Sequence, residues 1–207
     1  MSKRERMSVR INPFALIAAF GLVTASVVVG VFGPRLTERA QSDLIPLGDV
    51  VSVAREMAAR LQFDALHRPL ASANPTHEQV AALCNGAHLG SWRPRDLSSF
   101  GFALIEAQQV SLIDGTEAVA IVYEGTGERT DRFLTVFAAE DHGQFASFDE
   151  FGRIEPFAVG RSIVETDELT LARSNATLVW SDGALLTLTL HDDASDLEAL
   201  RDALGAP

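Results

Sequence analysis

The chain changes its hydrophobic rhythm three times. Residues 14–33, "FALIAAFGLVTASVVVGVFG", are almost wholly apolar and carry no charge. Such a run reaches the roughly 20 residues a helix needs to cross about 30 Å of hydrocarbon. Further on, Val50, Val53, Ala54, Met57, Leu61 and Leu66 recur at helical spacing, with Arg55, Glu56 and Arg60 between them. That pattern predicts an amphipathic helix capped by Asp49 and running through about residue 66. "RPLASANP" breaks it. A second, shorter helix is predicted from Thr76, with Gln79 three residues on as in a capping box, to a stop at Asn85-Gly86.

After "WRPRDLSSFG" the period falls to two. "FALIEAQQVSLI" reads as a strand, Asp114-Gly115 as a type I′ hairpin turn, and "EAVAIVYE" as the return strand, with Val119, Ile121 and Tyr123 on one face. "GTGE" turns the chain into a third strand, "DRFLTVFAAE". Residues 140–160 are polar and read as a loop holding no more than one short strand. "ELTLARS", "ATLVWS" and "ALLTLTLH" predict three more strands, the last two a hairpin about Asp182-Gly183. Ser195 with Glu198 predicts a capping box that opens a C-terminal helix to about Leu204. The fold class is therefore α+β: a single transmembrane helix, then a domain with two N-terminal helices, an antiparallel meander and a C-terminal helix. The expected divisions are a cytoplasmic leader at 1–12, an anchor at 13–34, a linker at 35–48 and the α+β domain at 49–207.

Charge decides the address. Residues 1–12 hold Lys3, Arg4, Arg6 and Arg10 against Glu5, a net of +3, whereas the whole chain is −11, which leaves −14 beyond residue 12. The cationic leader stays in the cytoplasm and the acidic body is exported. The apolar run is longer than the 7–15 residues usual in a cleaved signal, and the nearest cleavage candidate, before Gln41, has Glu38 at −3. A retained inner-membrane anchor with a periplasmic domain is the expectation. Gly21/Ala25 and Ser26/Gly30 have spacings that let a second helix pack closely, so a helix-mediated oligomer is a further expectation. An acidic body does not attract phosphate backbones, which argues against nucleic acid.

Candidate chemistry is sparse. Cys84 is the sole cysteine, so no intrachain disulfide forms. His77, Cys84 and His88 are seven and four residues apart and would share a helical face if the helix ran through; a thiolate and two imidazoles suit zinc or copper. The alternative is ordinary core and surface roles, with Cys84 a small buried hydrophobe. Trp92 and Trp180 read as core aromatics, though Trp92 beside Arg93 and Arg95 also suits a docking spot. "HDDASDLE" and "VETDEL" read as solvated faces. No nucleophile motif or phosphate loop is present, no cofactor is implied, and the expectation is a non-enzyme.

The order of these pieces resembles the extracytoplasmic domain of transmembrane anti-sigma factors. Asp96-Leu97, Gly101-Phe102, Leu104, Tyr123, Trp180, Gly183, Leu197 and Leu200 occupy that family's places over about 150 residues. The resemblance implies an exported sensor-like module beyond a membrane helix. The family's cytoplasmic sigma-binding domain has no counterpart in the dozen residues ahead of the anchor, so sigma-factor sequestration is not implied. The functional expectation is a membrane-anchored regulatory or accessory module that binds a membrane or periplasmic protein; the alternative is a small-ligand or metal sensor.

Overall fold

The computed structural model describes residues 44–67, 74–166 and 176–207. The chain divides into two units, Met1–Leu44 and Ile45–Pro207, and every described element belongs to the second. The expected anchor at 13–34 and the strand "ELTLARS" lie outside the described residues. Among those described, no helix is long and apolar enough to cross a membrane.

The domain is α+β, and its described residues form three helices and a six-stranded antiparallel sheet. A two-residue strand β1 (Ile45–Pro46) leads into helix α1 (Leu47–Leu66), and α2 (His77–Gly86) follows. The strands are β2 (Phe102–Ser111), β3 (Glu117–Gly125), β4 (Phe133–Glu140), β5 (Phe145–Phe148), β6 (Ile154–Pro156), β7 (Ser162–Thr166), β8 (Ala176–Ser181) and β9 (Leu185–His191). Helix α3 (Ala194–Leu204) closes the chain. The large sheet has the order β2-β3-β4-β9-β8-β7, and a separate small sheet has the order β1-β5-β6.

Helices cover both faces of the large sheet. On β3, Ala118, Ala120 and Val122 face the core beneath α1, which contributes Val50, Val51, Ala54, Ala58 and Leu61. The alternate residues Val119, Ile121 and Tyr123 share the opposite face, as their spacing predicts, beneath Val80 and Cys84 of α2 and Leu197, Leu200 and Leu204 of α3. Small alanines on the first face let α1 lie close. Two buried threonines there receive polar groups from the helix. Gln62 Nε2 donates to Thr135 Oγ1 at 3.1 Å, and Arg55 Nη2 donates to Thr177 Oγ1 at 3.1 Å.

Several local expectations change. Helix α1 starts at Leu47 after Pro46, and Asp49 sits inside its first turn rather than at its cap; an acid there still suits the helix dipole. The β2–β3 connection is a 3-10 turn at Ile113–Gly115, longer than a two-residue type I′ turn. Residues 140–160 hold two strands, β5 and β6, because buried Phe145 and Phe157 tuck this segment against the α1 core. The C-terminal helix is capped by Asp193, which accepts from the Ser195 and Asp196 amides, and not by Ser195. The Thr76–Gln79 capping box is present in both directions, at 3.2 and 2.8 Å.

A groove above the second and third strands

The candidate site is a groove of about 750 Å³ on the α2 side of the large sheet. Its first wall is the start of α2. The capping box fixes the start of the helix, whose residues His77, Glu78, Val80 and Ala81 line the groove. Its second wall is the segment 93–98. Pro94 keeps that segment extended. Asp96 Oδ1 accepts the Ser98 amide at 2.9 Å, which starts the 3-10 turn Ser98–Phe100, and Gly101 (φ 78°) supplies the left-handed step into β2. The floor is apolar: Leu97, Phe102, Leu104 and the ring of Tyr123.

The polar groups around this floor are largely committed to the fold. The Tyr123 hydroxyl donates to the Arg95 carbonyl at 2.8 Å. Burial pushes the phenol above its ordinary pKa, and the Asp96 carboxylate adds to the shift, so the hydroxyl stays a donor. The Asp96 carboxyl is held below its ordinary range by hydrogen bonds from Ser98. Arg93 Nη1 donates to the carbonyls of Gly90 (3.0 Å) and Trp92 (2.5 Å). Arg93, Arg95 and His77 stand on the rim with Glu78 and Asp96, so the rim is mixed in sign. The arrangement offers an apolar bed with a polar edge, the general form of a binding site.

His77, Cys84 and His88 are not brought together. Cys84 is fully buried under the sheet, whereas His77 and His88 are exposed. The helix ends at Gly86, and His88 takes a left-handed backbone (φ 59°), so the face that seven- and four-residue spacing implies does not continue. Among the described residues, no three His, Cys, Asp or Glu side chains form a group able to hold a metal. Only His77 of the three lines the groove. Trp180 is a core residue, and Trp92 is half-buried against the α2 and α3 core.

"HDDASDLE" is more than a solvated face. His191 is fully buried and its Nδ1 lies 2.7 Å from the Phe133 carbonyl. Asp196 pairs with Arg129 at 2.5 Å and Arg132 at 2.9 Å, and Arg132 also reaches Asp193 at 3.1 Å. These contacts pin the start of α3 to the β3–β4 turn. Sequence reasoning missed them because Arg129 and Arg132 lie more than 60 residues away from their partners.

No protein-family model, curated protein or solved structure matches the chain.

Proposed function

We propose that the chain is an inner-membrane, single-pass module with its N-terminus in the cytoplasm, which holds the α+β domain in the periplasm and acts by binding another protein in the groove. It is a regulatory or accessory part and not a catalyst. Kinship with the extracytoplasmic domain of anti-sigma factors belongs to the same proposal. One observation carries it: five residues that bear the resemblance, Asp96, Leu97, Phe102, Leu104 and Tyr123, all line this groove. Their polar groups are spent on shaping its wall, which suits a contact surface.

A photo-crosslinking residue at Ala81, on the groove wall, tests the reading in native membranes. A recurrent covalent partner is expected from Ala81, and none from the same residue placed at exposed Ala199 on α3. Repeated recovery of no partner from Ala81 abandons the proposal.

The volume supports a second reading. About 750 Å³ lies within the range of roughly 300–1,000 Å³ typical of small-molecule pockets. An apolar small ligand seated there would raise the melting temperature of the purified chain. That rise would be lost on filling the groove with Ala81→Trp.

A further inference from the structure

The small sheet presents a fixed apolar tip. Phe151 is 73% exposed, Phe148 56% and Ile154 37%. Phe148 and Ile154 are register partners across the β5–β6 hairpin, so their side chains leave on one face, and Phe151 stands in the turn between them. The turn is tightly bonded. Asp149 Oδ1 accepts the amides of Phe151 (2.9 Å) and Arg153 (2.8 Å), while Oδ2 accepts Arg153 Nε at 2.7 Å. The Arg153 guanidinium lies 5.3 Å from the Phe151 ring centre. Scattered exposed apolar residues are normal, but three held together on one rigid turn form a patch.

We propose that this patch rests on the bilayer, with Phe148, Phe151 and Ile154 dipping into the headgroup boundary. The inference rests on the membrane-anchored reading above. Its support is the tether. β1, the first described element, pairs with β5, the strand that leads into the turn. Ten residues lie between Pro34 and Ile45, and the eleven steps from one to the other span at most about 36–40 Å when extended. The pairing is parallel, so the chain arrives beside Phe145, at the end of β5 opposite the turn. A four-residue strand is only about 13 Å long, and the tether exceeds it severalfold, so the turn can reach the surface. Charge chooses the lipid. A body at −14 repels anionic headgroups, whereas Arg153 beside Phe151 suits the phosphate of a zwitterionic one.

The test uses the full chain in phosphatidylcholine vesicles. An environment-sensitive fluorophore is placed on Glu150→Cys in a Cys84→Ala background, with Ala199→Cys as the control on the other side of the large sheet. The Glu150→Cys probe is expected to shift to the blue and to be quenched by nitroxides on the acyl chains, at a depth of about 5–10 Å. The control is not quenched. Adding Phe148→Ser, Phe151→Ser and Ile154→Ser abolishes the quenching while the chain stays in the pellet after an alkaline wash. A Glu150→Cys probe as wet as the control overturns the proposal. So does a blue shift without acyl-chain quenching, which would mark a protein or a second copy on the patch. Release of the chain by the alkaline wash overturns the anchor instead; the quenching, read before the wash, judges the turn separately.

Discussion

The Tyr123 hydroxyl and the Arg95 carbonyl, 2.8 Å apart, join the second strand of the large sheet to the groove wall. Tyr123 is almost fully buried, and burial pushes its phenol well above its ordinary range, so it stays protonated and donates at neutral pH. Tyr123→Phe keeps the ring in the floor and deletes only this bond. The expected cost is about 1 kcal/mol in urea unfolding. Crosslinking from Ala81 should weaken with it, because the 93–98 wall loses its tie to β3. Unchanged stability and unchanged capture together would mean that the bond does not hold the wall.

The end of β3 is packed against the turn that follows. A Cβ built on Gly125 would lie 2.0 Å from the Arg129 carbonyl oxygen. That oxygen is backbone and cannot swing aside. Gly125→Ala is expected to destabilise by about 3 kcal/mol, at the upper end of overpacking. Gly48, in α1, has nothing within 4 Å of the same position. Gly48→Ala is expected to be neutral or to stabilise by up to about 1 kcal/mol through helix propensity. Equal melting temperatures for the two variants would contradict the close approach at Gly125.

Much of the fold was legible because it is written locally. The helix at His77–Gly86 was visible in Thr76 and Gln79, and the paired strands in the alternation of Val119, Ile121 and Tyr123. What stayed hidden depends on partners distant in sequence. β5 and β6 exist because Phe145 and Phe157 meet the α1 core and because β1 supplies an edge, and neither fact leaves a period in the sequence. The site was half legible. Of Trp92, Arg93 and Arg95, the two arginines line the groove, as does Tyr123. Nothing local says that the hydroxyl of one reaches the carbonyl of another 28 residues away. The three metal candidates are not grouped for a local reason, since Asn85-Gly86 stops the helix before His88 can join its face.

Acid should loosen the start of α3. The Asp193 carboxyl is held down to about 2 by the Ser195 hydroxyl first, then by the Ser195 and Asp196 amides and Arg132. An unfolded Asp titrates near 3.9. A carboxylate with a depressed folded pKa contributes stability above the unfolded value and loses it as pH falls through the folded one. The contribution of Asp193 is therefore complete above about pH 4 and fades towards pH 2. The side chain is 35% exposed, so solvent screens part of it. Asp193→Asn keeps a capping oxygen. It is expected to lower the melting temperature modestly at pH 7, where the charge and the Arg132 pair are lost, and to converge with the parent chain near pH 2, so that the fall between about pH 4 and pH 2 is flatter. A profile identical to that of the parent chain would remove Asp193 from the acid response.

Cys84 should behave as part of the core. It is fully buried, and burial pushes its thiol above the ordinary range, with Arg93 pulling the other way. A charged thiol reagent needs the thiolate and a path to it. The native chain is therefore expected to label only through opening of the fold, far more slowly than the same chain in urea. Zinc should leave the melting temperature where it is, since His77 and His88 lie exposed and are not grouped with the buried sulfur. Labelling of the native chain at the rate of an exposed cysteine would show that α2 lifts from the sheet. A zinc-dependent rise in melting temperature that vanished in Cys84→Ala would restore the sulfur as a ligand and require α2 to extend past Gly86.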